Sequence, residues 1–197
     1  MGRVTGKQLN SYDTSKNNKG AFMTQIKRLG FFSLLLMLAA CAQFQQLDMT
    51  AIRQAELMNL NTPQSNALAS GQPTPEQIQV LAQAGVKHVI SLRRPEEIDW
   101  DERAVVEANG MQFHSIPVAG LMGVTKENAA KLEDLLNSLG SEPVLVHCGS
   151  SNRVGALKTL ASLEAQDAIS LEAAFAEGRR WGLTGLEAPL REKLAAQ

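Results

Sequence analysis

The stretch with the most chemical content is Val144-Leu145-Val146-His147-Cys148-Gly149-Ser150-Ser151-Asn152-Arg153-Val154-Gly155. A β-rich apolar run ends at a cysteine, four small polar residues follow, and an arginine opens a helical stretch. Gly149, Ser150, Ser151 and Asn152 let successive backbone N–H groups turn inward into an anion-binding nest, to which the helix N-terminus adds the positive end of its dipole. The same field favours thiolate, the nucleophilic form of cysteine. Arg153 supplies a planar fork for two oxygens of a bound oxyanion, a match lysine cannot make. These residues point to Cys148 as a nucleophile, to residues 149–153 as an anion-binding loop, and to Arg153 as the charge that fixes the anion. His147 reads equally as a brace for the loop or as a titrating neighbour.

The flanking sequence must hold this loop in place. Residues 66–70 suggest a short edge strand. Thr74-Pro75-Glu76-Gln77 is a capping box with proline at the first helical position, and Ile78, Val80, Leu81 and Ala84 follow before Gly85 closes the helix. Val86 to Leu92 reads as a central strand, 96–109 as a helix, 112–118 as a strand, and 125–139 as a helix capped by Thr125 and stopped by Gly140. Pro143 to His147 forms a buried strand. Residues 153–164 form a helix with Val154, Leu157, Leu160 and Leu163 on one face, and 170–196 hold one or two more helices. Strands alternating with helices predict an α/β fold: a small, mostly parallel central sheet flanked by helices on both faces.

Ser70-Gly71-Gln72-Pro73-Thr74, Gly85 to Arg93 with Glu96, Phe113 to Val118, and Val146-His147-Cys148 occur in this order. The series resembles the bacterial beta-lactamase hydrolase-like, protein phosphatase-like domain, a small relative of dual-specificity and tyrosine phosphatases, over about residues 64–182. The resemblance implies a cysteine-phosphatase fold, phosphate monoester hydrolysis through a thiophosphate on Cys148, and no cofactor. It also implies that Arg93, with Glu96 or Glu97, lines the pocket or braces the loop; an exposed ion pair is the alternative.

Three departures from that pattern bear on the chemistry. Four residues separate Cys148 from Arg153 where such phosphatases usually have five, and the shorter loop is common in rhodanese-type sulfurtransferases. Val154 stands where a serine or threonine would stabilise the leaving thiolate, a task left to Ser150 or Ser151. The segment Val118-Ala119-Gly120-Leu121-Met122-Gly123-Val124 lacks the expected acidic residue, and loss of a general acid costs roughly 10²–10⁴ in rate. Glu96, Asp99, Asp101 and Glu127 are conceivable substitutes. Three readings follow: a phosphatase-like hydrolase, a sulfurtransferase carrying a persulfide on Cys148, or a non-catalytic anion-binding envelope lipoprotein. Elsewhere, His88 reads as structural, and Arg179-Arg180-Trp181 as a helix end with the tryptophan in the core. The three histidines and two cysteines show no metal-ligand spacing, so no metal is expected.

Charge and cysteines bound the setting. The 197 residues carry 19 basic and 20 acidic side chains, a net −1. Residues 1–40 hold six of the basic residues and only Asp13, so the remainder stands at −6. An acidic body argues against nucleic acid as a partner. The basic Met23 to Arg28, followed by the apolar Leu29 to Ala40, has the grammar of a signal peptide and is too short to span a bilayer. Leu38-Ala39-Ala40-Cys41 resembles the bacterial lipobox, which implies lipidation of Cys41 and a membrane anchor on the periplasmic side. Ala42 after the cysteine resembles the outer-membrane default. We therefore expect a leader over 1–40 with its start at Met23, a tether and short helix over 41–63, and the phosphatase-like domain over 64–197. With Cys41 lipidated, Cys148 is left as the one thiol, so no internal disulfide forms. A phosphorylated or other anionic substrate is the expected partner.

Overall fold

The computed structural model describes residues 46–165 and 169–196, together with Gly2. The apolar leader and Cys41 lie outside the described residues. From residue 46 onward the elements are α1 (Met49–Gln54), β1 (Asn61–Gln64), β2 (Ala67–Ser70), α2 (Pro75–Gln83), β3 (His88–Ser91), a 3₁₀ turn (Pro95–Glu97), α3 (Glu102–Ala108), β4 (Gln112–Ser115), α4 (Lys126–Leu139), β5 (Val144–His147), α5 (Asn152–Ala165), α6 (Leu171–Arg180) and α7 (Glu187–Ala195).

Five strands form one sheet in the order β1-β2-β5-β3-β4. β2, β5, β3 and β4 run parallel, while β1 pairs antiparallel with β2. Side chains alternate between faces with the period of a strand. Ala67, Ala69, Ile90, Val144 and Val146 face the layer of α4 to α7, and Leu68, Val89 and Leu145 face that of α1 to α3. The expected mostly parallel sheet with helices on both faces is the observed architecture. The register places Ser70, His147 and Ser91 side by side across β2, β5 and β3, with Ser115 next on β4. Cys148 therefore emerges at the carboxyl edge of the sheet, where open α/β sheets form their crevices.

Several boundaries differ from the sequence reading, each for a local reason. The stretch 66–70 is not at the edge, because β1 covers it; β1 carries Pro63, which an edge strand tolerates. The segment read as a tether is partly built into the fold. Leu47 is buried, and Asp48 donates its N–H to Ala84 O and caps α1 by accepting from Thr50 N and Ala51 N. The short helix expected within 41–63 spans only Met49–Gln54, and Glu56 and Asn59 beyond it take positive φ. The helix expected over 96–109 is interrupted. Ile98 is extended, and Asp101 begins α3 afresh by accepting from Ala104 N. Thr74 and Thr125 cap their helices as expected, Thr74 with the full capping box.

α5 departs most from its expected amphipathic pattern. All residues from Val154 to Ala161 are buried, because α5 packs between the sheet, α4 and α6. Its contact with α6 is backbone-close. A Cβ on Gly155 would lie 2.3 Å from Leu183 N and 2.5 Å from Gly178 O, so only glycine fits there. This packing fixes the helix that carries Arg153. Lys158 on the same helix pairs with Glu133 and lies 4.7 Å from the Trp181 ring centroid, and Trp181 is fully buried.

Candidate active site

Cys148 follows β5 directly and is buried, its N–H donating to Ser70 O at 3.4 Å. The loop after it is held from three sides. Gly71 and Ser150 bridge the β2 end to the loop, and Gln72 N donates to Gly149 O. Asn59 Nδ2 donates to Ser150 O at 3.1 Å. Ser151 takes φ +67, a conformation that costs energy in a non-glycine residue. It is locked there by burial and by its hydroxyl donating to Trp181 O at 3.0 Å. Asn152 Oδ1 accepts from Thr184 N, Thr184 Oγ1 and Leu186 N, tying the loop to segment 184–186, which forms one side of the cleft. Of the two serines considered for the leaving-thiolate task, Ser151 is therefore committed elsewhere. Ser150 lines the cleft, its Oγ accepting from Asn152 Nδ2.

Arg153 reaches back across the carboxyl ends of β3 and β4. Its Nη1 donates to Val118 O at 2.7 Å and Leu92 O at 3.3 Å, and Nη1 and Nη2 together grip Glu97 at 3.2 and 2.7 Å. A guanidinium has five N–H donors. Among the described residues, its Nε–H and second Nη2 N–H take no protein acceptor, which leaves one edge of the fork for an anion.

Glu97 gathers three arginines. Besides Arg153, Arg94 Nε lies 3.0 Å from Oε1 and Arg93 Nε 2.8 Å from Oε2. The Arg93 contact is short but poorly aligned as a hydrogen bond, so charge rather than bonding geometry holds it. Arg93 also donates through Nη2 to Glu97 O and through Nη1 to Gln72 Oε1. Burial pushes the Glu97 carboxyl up, but hydrogen bonds from Arg153 and Arg94 and the charges of Arg153 and Arg93 hold it down at about 2. Of the two glutamates named with Arg93 in the sequence reading, Glu96 points outward: its side chain is 62% exposed and pairs with Arg94. One residue further along the 3₁₀ turn decides which glutamate meets the loop.

His147 does not enter the cleft. It is fully buried beneath the loop, with Nε2 3.0 Å from Glu102 Oε1 but poorly aligned for a hydrogen bond. Gln72 donates to the same Glu102 oxygen at 2.6 Å. Burial pushes the Glu102 carboxyl up, yet His147, Gln72 and Ser91 together hold it below the usual carboxylate range. The sequence reading missed Glu102 and Arg94. The paired basic residues after a strand were a signal for Arg94; nothing in the linear pattern set Glu102 apart. His88 is buried against His114 and Glu142, away from the cleft, and Arg179 pairs with Glu172 and Glu187 at the end of α6.

The cleft over Cys148 has a volume of about 740 Å³, and Arg93, Arg94, Arg153 and Glu97 are its charged lining. Of the proposed substitute acids, none lines it. Glu96 is paired outward, Asp101 caps α3, and Glu127 is held by Lys131 on α4. Asp99 likewise lies outside its lining. What the arrangement provides is a buried cysteine lining a cleft and, beside it, a guanidinium fork held by Glu97 and two carbonyls.

Residues 56–161, more than half of the chain, match the family model described as PTP-SAK, the Swiss Army Knife protein DSP-PTPase phosphatase domain. Among solved structures, a candidate phosphatase from Shewanella putrefaciens CN-32 is 24% identical, with a TM-score of 0.58 over 76% of this chain and 97% of that one. A candidate phosphatase from Neisseria meningitidis Z2491 is 21% identical, with a TM-score of 0.56 over 71% and 99%. The core catalytic domain of the PP-IP phosphatase SIW14 from S. cerevisiae is 19% identical, with a TM-score of 0.55 over 71% and 85%. At these identities the structures speak to the fold. Among curated proteins none matches.

Proposed function

This chain belongs to the PTP-SAK family of DSP-PTPase phosphatase domains and is a phosphatase-like hydrolase, and on that premise we propose that it works through a thiophosphate on Cys148. The thiolate attacks phosphorus in line, the S–P bond forms, and the P–O bond to the leaving group breaks with its electron pair departing on oxygen. The amides of residues 149–153 and the open edge of Arg153 hold the equatorial oxygens where charge accumulates. Water then attacks phosphorus, the electron pair returns to sulfur, and inorganic phosphate leaves. The observation that carries this reading is Arg153, braced by Glu97 and two carbonyls with one edge of its fork unspent.

The decisive experiment compares the protein with its Cys148→Ser variant on aryl phosphates. We expect turnover to fall to background, a loss on the order of 10⁴-fold or more; equal activity in the two overturns the reading. The four-residue spacing favours a second reading, in which Cys148 carries a persulfide and Arg153 binds a sulfonate donor. A stable mass gain of about 32 Da after thiosulfate treatment, without phosphatase turnover, would select it. A rise in melting temperature with phosphate but no turnover would select anion binding without catalysis.

The beta-lactamase hydrolase-like subgroup remains our finer assignment, supported by the ordered segments from Ser70 to Cys148. We also propose that the domain is held at the periplasmic side of the bacterial envelope, with the outer membrane as its site, by a lipid on Cys41. The support is the apolar run ending in Leu38-Ala39-Ala40-Cys41. Cys41→Ala should move the protein from the membrane to the soluble fraction, and an unchanged distribution counts against the anchor.

A further inference from the structure

The cleft is generous in positive charge and poor in protons. Its lining holds three guanidinium groups, from Arg93, Arg94 and Arg153, against one carboxylate among the described residues, Glu97. Glu97 cannot serve as an acid. It is shared among the three arginines, and its carboxyl is ionised at neutral pH. The segment Val118 to Val124 brings Gly120 to the cleft and no acidic side chain. A leaving oxygen must therefore depart as the anion. For an alkoxide this forfeits roughly 10²–10⁴ in rate, and a departing tyrosine phenolate, of pKa about 10, is also penalised.

Guanidinium groups are meanwhile supplied beyond what one phosphoryl group uses, three arginines against the two glutamates, Glu96 and Glu97, that pair with them. Arg153 alone offers the bidentate edge. Yet Arg93 converges on the same place: a Cβ on Gly149 would lie 3.5 Å from Arg153 Nη2 and 3.7 Å from Arg93 Nη1. Arg94 lines the cleft beside them with its side chain 42% exposed. The volume of about 740 Å³ also exceeds what a single phosphate fills and lies in the range of small-molecule sites.

Resting on the Cys148 phosphatase reading, we infer that the preferred substrate is a phosphoanhydride, whose departing group is itself a phosphate received by Arg93 and Arg94. The chemistry balances without a general acid. Cys148 Sγ bonds to the terminal phosphorus, the P–O bond of the anhydride breaks, and the electron pair stays on the departing phosphate. That group is stable as the anion near neutral pH, since the second pKa of a phosphate ester is about 6. Two arginines neutralise the charge it gains. Water then releases the thiophosphate as before, one of its protons passing to an oxygen of the phosphate product.

The test measures kcat/KM of the full chain on inorganic pyrophosphate, a nucleoside 5′-diphosphate, phosphotyrosine and glycerol phosphate, and on aryl phosphates graded by leaving-group pKa. We expect at least one anhydride to exceed glycerol phosphate by 100-fold or more, and a steep fall in rate along the aryl series as the leaving group becomes more basic. In Arg94→Gln the ratio of anhydride to phosphotyrosine turnover should drop at least tenfold. Phosphotyrosine or glycerol phosphate turned over as fast as the anhydrides, a flat aryl series, or an unmoved ratio in Arg94→Gln each overturns the inference while leaving the Cys148 reading intact. No turnover of any substrate, with Cys148→Ser indistinguishable from the parent, overturns both.

Discussion

The segments Arg93–Glu97 and Val118–Val124 leave adjacent strands, β3 and β4, and arrive at the same cleft, yet they bring different things to it. The first delivers two arginines and the carboxylate that aligns Arg153. The second delivers a main-chain carbonyl, that of Val118, and the bare backbone of Gly120. Both are well anchored. Lys193 on α7 donates to Leu121 O and Val124 O, while Val118 and Val124 sit in the core; between them Met122 is 81% exposed. The difference is therefore one of chemistry rather than of order. Anion binding and proton delivery are separable parts of a phosphatase site, and among the described residues lining this cleft are guanidinium groups suited to the first and no free acid for the second.

The largest test of the contrast strikes the anion side. Arg153→Lys keeps the charge but loses the fork, the grip on Glu97 and the two carbonyl contacts. We expect kcat/KM on an aryl phosphate to fall roughly 10²–10³-fold, the scale of losing a major group that stabilises the transition-state charge. If lysine retains activity within a few-fold, the fork geometry is not what the site uses.

The next effect is on stability. The Glu97 carboxyl sits at about 2 in the folded protein against an ordinary 4.5. A lowered folded-state value means stability that is fully present above about pH 4.5 and is lost as the pH falls toward 2. The full difference would correspond to roughly 3 kcal/mol near neutral pH, which solvent screening in the open cleft reduces to about 1–2 kcal/mol. Glu97→Gln should therefore lower stability at pH 7 by an amount of this order, and the gap between variant and parent should narrow as the pH falls from 4.5 toward 2. Urea titrations across that range measure it. A gap that is constant with pH means that Glu97 contributes by packing rather than by its charge.

The same two segments show what the linear sequence makes legible. The cysteine, the small-residue loop and Arg153 are contiguous, and a strand-to-helix turn has few ways to arrange six residues, so this part of the site is readable directly. So are α2 and α4, whose caps are local hydrogen bonds between residues three apart. What escapes is set by contacts between distant segments. β1 has no apolar alternation to announce it and exists because β2 offers an edge. The break at 98–101 comes from an extended Ile98 and a new cap at Asp101, which outweigh an otherwise helical pattern. Glu96 and Glu97 are indistinguishable in sequence, yet only one of them meets Arg153 across 56 residues. His147 and Glu102 likewise meet through the stacking of α3 on the sheet, and neither neighbour sequence hints at the other.

The contrast between the segments can also be narrowed by supplying what the second one lacks. Gly120 lines the cleft at φ +51, with nothing within 4 Å of where a Cβ would sit. Aspartate tolerates that backbone region better than most residues, at a strain of about 1 kcal/mol. Gly120→Asp would thus place a carboxyl group in the lining of the cleft, in open space. Part of its charge would be drawn to the cleft arginines, which limits the gain, so the expected rise is about tenfold for aryl phosphates with basic leaving groups. Leaving groups that need no proton should gain nothing. The readout is the slope of rate against leaving-group pKa, which should flatten in the variant. A uniform change across the series would show only altered binding. An unchanged slope would mean that proton delivery does not limit this site, and the difference between its two walls would then lie in substrate fit rather than in acid catalysis.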